Sequence, residues 1–151
     1  MPVLHFGVND LPYSQAPKRF RGKGKVASGT QTTGDVAGWL EDRYHVMEIF
    51  GELHIGDIAK SLESSVAGAL ESLMAGGPST LNAFGSATSE IEDQFKQFLS
   101  NKEMDALGYP GVPTQAALEG INPRLKRGRG PPRPSFIATG LYQANFRAWV
   151  D

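Results

Sequence analysis

The segment from Ile55 to Met74 constrains the fold more than any other, because it carries the longest regular apolar pattern in the chain. Its apolar side chains recur every three or four residues, at Ile55, Ile58, Ala59, Leu62, Val66, Ala69, Leu70, Leu73 and Met74. That spacing places them on one face of an α-helix. Gly76-Gly77-Pro78 should end the helix, since glycine takes the left-handed closing position and proline cannot continue it.

A second pattern supplies the expected partner for this helix. Its apolar residues follow the same spacing, at Val36, Trp39, Leu40, Tyr44, Met47 and Phe50. Thr32 or Thr33 can cap its start by accepting a hydrogen bond from a free backbone N–H, and Asp35 then lies in the first turn, where negative charge suits the helix dipole. We expect Gly51 to end or kink this helix, and we expect the two apolar stripes to pack together.

A third helix should begin near Ser89, because Ser89 and Glu92 have the spacing of a capping box. Its apolar face consists of Ile91, Phe95, Phe98 and Leu99. A continuation through residues 104–107 fits the same pattern. Further along, Thr114 can cap a short helical turn that Gly120 closes.

The length of 151 residues suits one domain with a real core. The 18 glycines and 10 prolines require long irregular segments. We therefore predict an α+β fold, with a body of two to three amphipathic helices, a small β contribution and long irregular arms. The predicted division is a basic flexible N-terminal arm at 1–31, an acidic helical body at 32–107, a Pro/Arg-rich loop at 108–134 and a C-terminal aromatic segment at 135–151.

Charge is strongly segregated although the net charge is only −1. Ten of the fifteen basic residues lie in two clusters, Lys18, Arg19, Arg21, Lys23 and Lys25, and Arg124, Lys126, Arg127, Arg129 and Arg133. Between Asp35 and Glu119, fourteen acidic residues face four basic ones, a net charge of −10. The chain is thus an acidic body with two basic arms.

Three interpretations of the arms remain open. They can be solvated loops, or they can bind a nucleic-acid backbone, with Phe20 stacking on a base. They can also lie on the acidic helices of a neighbouring copy, which suits head-to-tail assembly. The segregation favours assembly, and a small nucleic-acid-binding protein is the alternative function.

The pattern of the C-terminal aromatic segment, 135–151, is compatible with either a strand or a helix. Its residues from Tyr142 to Val150 alternate between apolar and polar, as in a half-buried strand, yet several also form one helical stripe. We favour a tight turn at Thr139-Gly140, a short helical turn and then a strand. The tail can pack on its own body or join a neighbouring subunit's sheet by strand addition. Its removal is then expected to abolish assembly while leaving the helices largely intact. The predicted interface residues are Thr139, Gly140, Leu141, Tyr142, Phe146 and Trp149.

The sequence nominates no catalytic chemistry. It contains no cysteine, which excludes thiol nucleophiles and cysteine-based zinc sites. His45, Glu48, Glu52 and His54 lie near one another, but surface groups at such spacings more often only meet water. We predict no enzyme, no catalytic residues, no cofactor and no metal. No run approaches the ~18 apolar residues of a membrane span, so no membrane partner is expected.

The stretch RPSFIATGLYQANFRAWV resembles a segment of tailed-bacteriophage head–tail joining and tail-completion (neck) proteins. The matching residues are Ile137, Thr139, Gly140 and Leu141. TTGDVAGWLEDRYHVMEIF is similar to the start of uncharacterised phage virion proteins. In that family, Thr-Gly opens a turn after a mobile basic loop.

The resemblance implies a structural virion protein at the head–tail junction, assembled in the cytoplasm of the bacterial host. Such proteins form homo-oligomeric rings, commonly hexamers, between the portal or adaptor complex and the tail-tube or tail-terminator proteins. They have neither catalytic residues nor a cofactor. DNA passes through the ring, so some arginines are expected to contact it transiently in the pore.

Overall fold

The computed structural model describes residues 2–12, 31–78, 82–121, 129–137 and 140–151. Within those ranges the elements follow in the order β1 (Leu4–Val8), α1 (Thr33–Tyr44), α2 (Val46–Leu53), α3 (Ile55–Met74), α4 (Gly85–Ser100), α5 (Glu103–Ala106), α6 (Gln115–Leu118), α7 (Leu141–Ala144) and β2 (Phe146–Val150). The fold is mostly helical with one small sheet, which confirms the predicted α+β class.

The sheet joins the two ends of the described chain. β1 and β2 are antiparallel, with Leu4 opposite Val150 and Val8 opposite Phe146. The prediction of a flexible arm throughout 1–31 is therefore wrong at residues 4–8, which form a strand. It was missed because five residues carry too little alternation to outweigh the glycine-rich and basic segment that follows.

The helix predicted at 36–50 is two helices. Its start is as expected, since Thr32 and Asp35 form a reciprocal capping box. The break lies at His45, which adopts a left-handed conformation with φ of 51°. The expected break at Gly51 is wrong: Gly51 lies inside α2, where an added Cβ would come within 3.2 Å of the Phe6 ring. Glycine here lets the strand approach the helix.

Helix α3 has the predicted bounds but not the predicted partner. Gly77 N–H bonds the Ser72 carbonyl at 2.8 Å and Gly76 N–H bonds the Leu73 carbonyl at 3.0 Å, a glycine-closed helix end. The expected packing against the 36–50 stripe is wrong, because α3 lies chiefly against α4. Ser65 contributes to that contact, since its hydroxyl bonds the Ser86 hydroxyl of α4 at 2.7 Å and also donates to the carbonyl of Ala83, just before α4, at 2.6 Å.

Helix α4 begins one turn before the predicted Ser89 cap. Ser89 lies inside the helix and donates its hydroxyl to the carbonyl of Gly85 at 3.1 Å. The continuation through 104–107 is a separate short helix, because Lys102 takes a left-handed conformation with φ of 59°. The prediction from the capping-box spacing is wrong here, because the Glu92 carboxylate accepts bonds from Arg147 and from the N–H of Ala148.

The core is a cluster of aromatic rings contributed by five elements. Its central members are Phe6, Phe50, Phe95, Phe98, Tyr142 and Phe146. The Phe95 and Phe146 rings stack with centroids 3.8 Å apart and an interplanar angle of 15°. The C-terminal segment therefore completes the core.

The favoured interpretation of the tail is confirmed. Gly140 takes a left-handed conformation with φ of 77°, the short helix α7 follows, and β2 comes next. Contrary to the strand-addition alternative, β2 pairs with β1 of its own chain. Because Tyr142 and Phe146 are core residues, we now expect removal of the tail to disrupt the helices that pack on them.

The segment between α5 and α7 is tied down at several points. Thr114 caps α6 as predicted, by accepting from the N–H of Ala117 at 3.3 Å. Gly120 closes the turn with φ of 61°, and a side chain there would collide with the backbone of Gly130. Ser135 accepts from the N–H of Thr114 at 3.1 Å. Hydrogen bonds between side chains and the backbone thus hold this proline-rich segment in place, where a helix or strand would use backbone bonds alone.

Candidate interaction surface

A groove of about 820 Å³ opens between β1 and α2 and extends to the start of α3. The described residues that line it are Leu4, His5, Phe6, Glu41, Met47, Glu48, Gly51, Glu52, Ile55 and Ile58. A strand forms one wall and a helix forms the other. We call this feature the β1–α2 groove.

The groove is apolar inside and acidic at its rim. Phe6, Met47 and Ile58 belong to the hydrophobic core or pack against it. Glu48 and Glu52 lie on the solvent-exposed side of α2. No lysine or arginine is among the described residues that line the groove. A ligand that combines an apolar group with positive charge therefore fits it best.

The strand wall of the groove is a free sheet edge. Val3 and Asp151 exchange backbone bonds of 2.8 and 3.2 Å, which fixes the alternation of the ladder. Leu4 and Phe6 consequently direct their N–H and C=O groups away from β2. Among the described residues these groups have no hydrogen-bonding partner, so β1 can accept one more strand.

The outer face of the sheet carries an exposed aromatic side chain, Trp149. Trp149 stacks on His5 with ring centroids 5.4 Å apart, and its ring covers Gly7. Trp149 is still 45% exposed, whereas Tyr142 and Phe146 are buried inside the chain. Of the predicted interface residues, only Trp149 and the partly buried Leu141 and Gly140 remain accessible to a partner; Thr139 lies outside the described residues.

The far half of α3 presents an uncovered apolar stripe. It consists of Val66, Leu70, Leu73 and Met74, of which Leu70 is 56% and Met74 80% exposed. The stripe exists because the serine-bearing side of α3, with Ser61 and Ser65, faces α4. Ile55, at the other end of the helix, is also exposed and lines the β1–α2 groove. We call Val66–Met74 the α3 stripe.

Trp39 was also predicted in a core stripe and is instead exposed on α1. The buried side of α1 carries Thr33 and Ala37, and Trp39 lies on a different side of that helix. The apolar residues of α2 reach the core, while Trp39 on the separate helix α1 does not.

One histidine, His45, lies in a cluster of potential metal ligands in the described part of the chain. Glu41, His45 and Glu48 place ligand atoms within 4.8 Å of one another. Both Glu41 oxygens already accept backbone bonds, from the N–H groups of Met47 at 2.8 Å and Glu48 at 3.0 Å. Glu41 thus caps α2, because the side chain of His45 at the cap position makes no capping bond to the helix and instead contacts the Glu48 carboxylate at 2.8 Å. The cluster is explained by helix capping.

Most of the predicted basic arms lie outside the described residues: Lys18, Arg19, Arg21, Lys23, Lys25, Arg124, Lys126 and Arg127. Arg129 is exposed, with its guanidinium 3.7 Å from Glu119. Arg133 is used internally, because it donates to the carbonyls of Ile121 at 2.9 Å and Ile137 at 3.0 Å. These bonds favour a loop anchor at Arg133, and its predicted role at an interface stays a prediction.

The β1–α2 groove is not predicted from the amino-acid sequence. The available signal was the alternation of Leu4, Phe6 and Val8, with Gly51 as the position where a helix passes close to an aromatic ring. Neither signal identifies the partner strand or the open edge, because both depend on tertiary packing.

No protein-family model, curated protein or solved structure matches this chain. None of the helices in the described ranges is long and apolar enough to cross a membrane.

Proposed function

We propose that this protein is a structural assembly component, acting at the neck of a tailed phage as a ring-forming tail-completion or connector protein. The observation that carries the proposal is the α3 stripe, an apolar helix face that the described chain leaves uncovered. Contiguous exposed apolar surface of this kind is typical of protein–protein interfaces. The resemblance around Thr139–Leu141 supplies the phage context.

Two further features support assembly over catalysis. The acidic body and the basic clusters are complementary in charge, which favours contacts between copies. The titratable groups that come together in the described residues serve the fold, as Glu41 does in capping α2 and His54 in bonding Glu103 at 2.8 Å. On this proposal the partners are other copies of the chain, the portal or adaptor complex and the tail-tube or tail-terminator proteins, and the protein resides in the virion.

The first test is the mass of the purified chain in solution, measured by light scattering across a range of concentrations. We expect a closed oligomer for the wild type and a monomer for Leu70→Glu, because a carboxylate in the α3 stripe cannot be buried without a partner. Ser64→Glu places the same charge on an exposed position of α3 outside the stripe and should assemble normally. A monomeric wild type at every concentration would refute the assembly proposal.

The second test addresses location. The native chain is followed by mass spectrometry through a density gradient of its source lysate. Co-migration with intact phage particles is expected. Migration with ribosomes or nucleoid would instead support the nucleic-acid alternative, and so would DNA binding that weakens steeply with salt.

A further inference from the structure

We propose that the β1–α2 groove binds residues 18–25 of a second copy of this chain as an added β-strand. The inference rests on the proposed self-assembly and names the contact that links the copies. It requires three properties of the groove: an open backbone edge, an apolar interior and a negatively charged rim.

The open edge supplies the backbone bonds. Leu4 and Phe6 offer N–H and C=O groups on the side of β1 away from β2, and the described lining of the groove includes residues of β1 but none of β2. The corresponding edge of β2 is not open, because the N–H of Ala148 already donates to Glu92 at 3.2 Å. An extended peptide between a strand edge and a helix gains backbone bonds from the strand and side-chain contacts from the helix.

The composition of 18–25, KRFRGKGK, matches the interior and the rim. Side chains alternate along a strand, so Phe20 can enter the apolar interior while Lys18, on the same side, reaches the glutamates at the rim. The described lining of the groove contains three glutamates and no cation to repel Lys18. In the rest of the segment, the two glycines add no side-chain bulk and the lysines add positive charge.

The charge distribution favours a second copy as the source of this strand. Residues 35–119 carry a net charge of −10, so two such bodies repel each other unless a positive segment lies between them. The segment 13–30 starts and ends at one place, because Pro12 and Thr32 are paired across its base. Half of its 18 residues, fully extended, span roughly 30 Å, enough to reach a neighbouring copy.

The test uses a fluorescently labelled peptide of residues 16–27 and the full-length chain, with binding followed by anisotropy. We expect saturable binding that weakens with salt and falls at least about tenfold in Glu48→Gln/Glu52→Gln, because both rim charges are lost. The matched control is Glu63→Gln/Glu71→Gln, which removes two carboxylates from α3 outside the groove lining. The peptide variant Phe20→Ala should also bind weakly.

Strand addition has its own signature. Methylating one backbone nitrogen of the peptide removes one N–H, and along an edge strand only every second N–H is used. Methylation at position 20 and methylation at position 21 should therefore differ, with one abolishing binding and the other sparing it. Equal effects at both positions would refute an added strand.

Two outcomes would contradict binding of a second copy's residues 18–25 in the groove without contradicting self-assembly. If the chain forms its oligomer but the peptide binds neither the wild type nor a chain in which 13–30 is replaced by a glycine-serine linker, the link between copies lies elsewhere, and assembly itself still stands. If the peptide binds only after that replacement and the replacement leaves the oligomeric mass unchanged, the groove is occupied by its own chain. Oligomeric mass, measured on the same samples, distinguishes these results from a failure of assembly.

Discussion

Glu92 holds Arg147 and the backbone next to it with both of its carboxylate oxygens. One oxygen accepts from the Arg147 guanidinium at 3.0 Å, and the other accepts from the N–H of Ala148 at 3.2 Å. A residue of α4 therefore satisfies the outer edge of β2 and fixes the sheet on the helical body. The edge of β1 has no such cover among the described residues.

Glu92→Ala should destabilise the fold by about 1–3 kcal/mol, since it leaves both the arginine and a strand N–H without their partner. Urea unfolding followed by circular dichroism measures this loss. Asp93→Ala is the control, because Asp93 is exposed and, among the described residues, bonds only Lys96, in an i,i+3 pair. It should change the free energy of unfolding by less than about 0.5 kcal/mol. Equal losses in the two variants would contradict the edge-capping role.

Substitutions at two aromatic residues of the C-terminal segment should differ in their cost to stability, because Phe146 is buried and Trp149 is exposed. Phe146→Ala is expected to cost about 3–5 kcal/mol, because the ring is fully buried and stacks on Phe95. Trp149→Ala should cost about 1 kcal/mol, since the side chain is half exposed and mainly loses its stacking on His5. Thermal unfolding compares them, and Phe146→Leu gives a milder loss if the alanine variant does not fold. A larger loss for Trp149→Ala than for Phe146→Ala would be inconsistent with this assignment.

The two described arginines of the second basic cluster should also behave differently. Arg133→Ala removes charge-assisted bonds to two carbonyls and should cost about 1.5–3 kcal/mol. Arg133→Lys should not restore this stability, because an ammonium group lacks the fork that reaches both oxygens. Arg129→Ala, at an exposed position, should change stability by less than about 0.5 kcal/mol. Chemical denaturation of the three variants decides between an anchor and a free surface charge at Arg133.

The helix cap provided by Glu41 can be tested directly. Glu41→Ala leaves two N–H groups at the start of α2 without an acceptor, at an expected cost of about 1 kcal/mol. Glu41→Gln keeps one oxygen acceptor and should lie between the alanine variant and the wild type. Asp42→Ala removes an exposed neighbouring carboxylate and serves as the control. Unchanged stability in Glu41→Ala would show that α2 does not depend on this cap.

The features predictable from the sequence are those that a few adjacent residues determine. Gly76 and Gly77 end α3 because the closing turn needs a left-handed residue. Thr32 and Asp35 start α1 through bonds that span only three residues. Gly140 opens the turn before α7 for the same local reason as Gly76.

The features that could not be predicted depend on distant partners. The left-handed conformation of His45 is unusual for a non-glycine residue, and it breaks a regular apolar pattern that alone predicts one helix. Periodicity also does not say which side of an apolar helix is covered. In α3 the serine-bearing side packs on α4, where Ser65 bonds the hydroxyl of Ser86, and the stripe ending at Met74 remains exposed.

The pairing of β1 with β2 has a consequence for synthesis. Residues 4–8 leave the ribosome early, but their strand partner at 146–150 is translated more than a hundred residues later. The rings of Phe6 and Phe146 meet only after that point. Until then the helices emerge with an incomplete core, so the nascent chain must keep its apolar surfaces protected. Pairing of β1 with β2 is therefore a late step in the folding of the described residues, and a product that stops before residue 146 lacks the strand that completes the core.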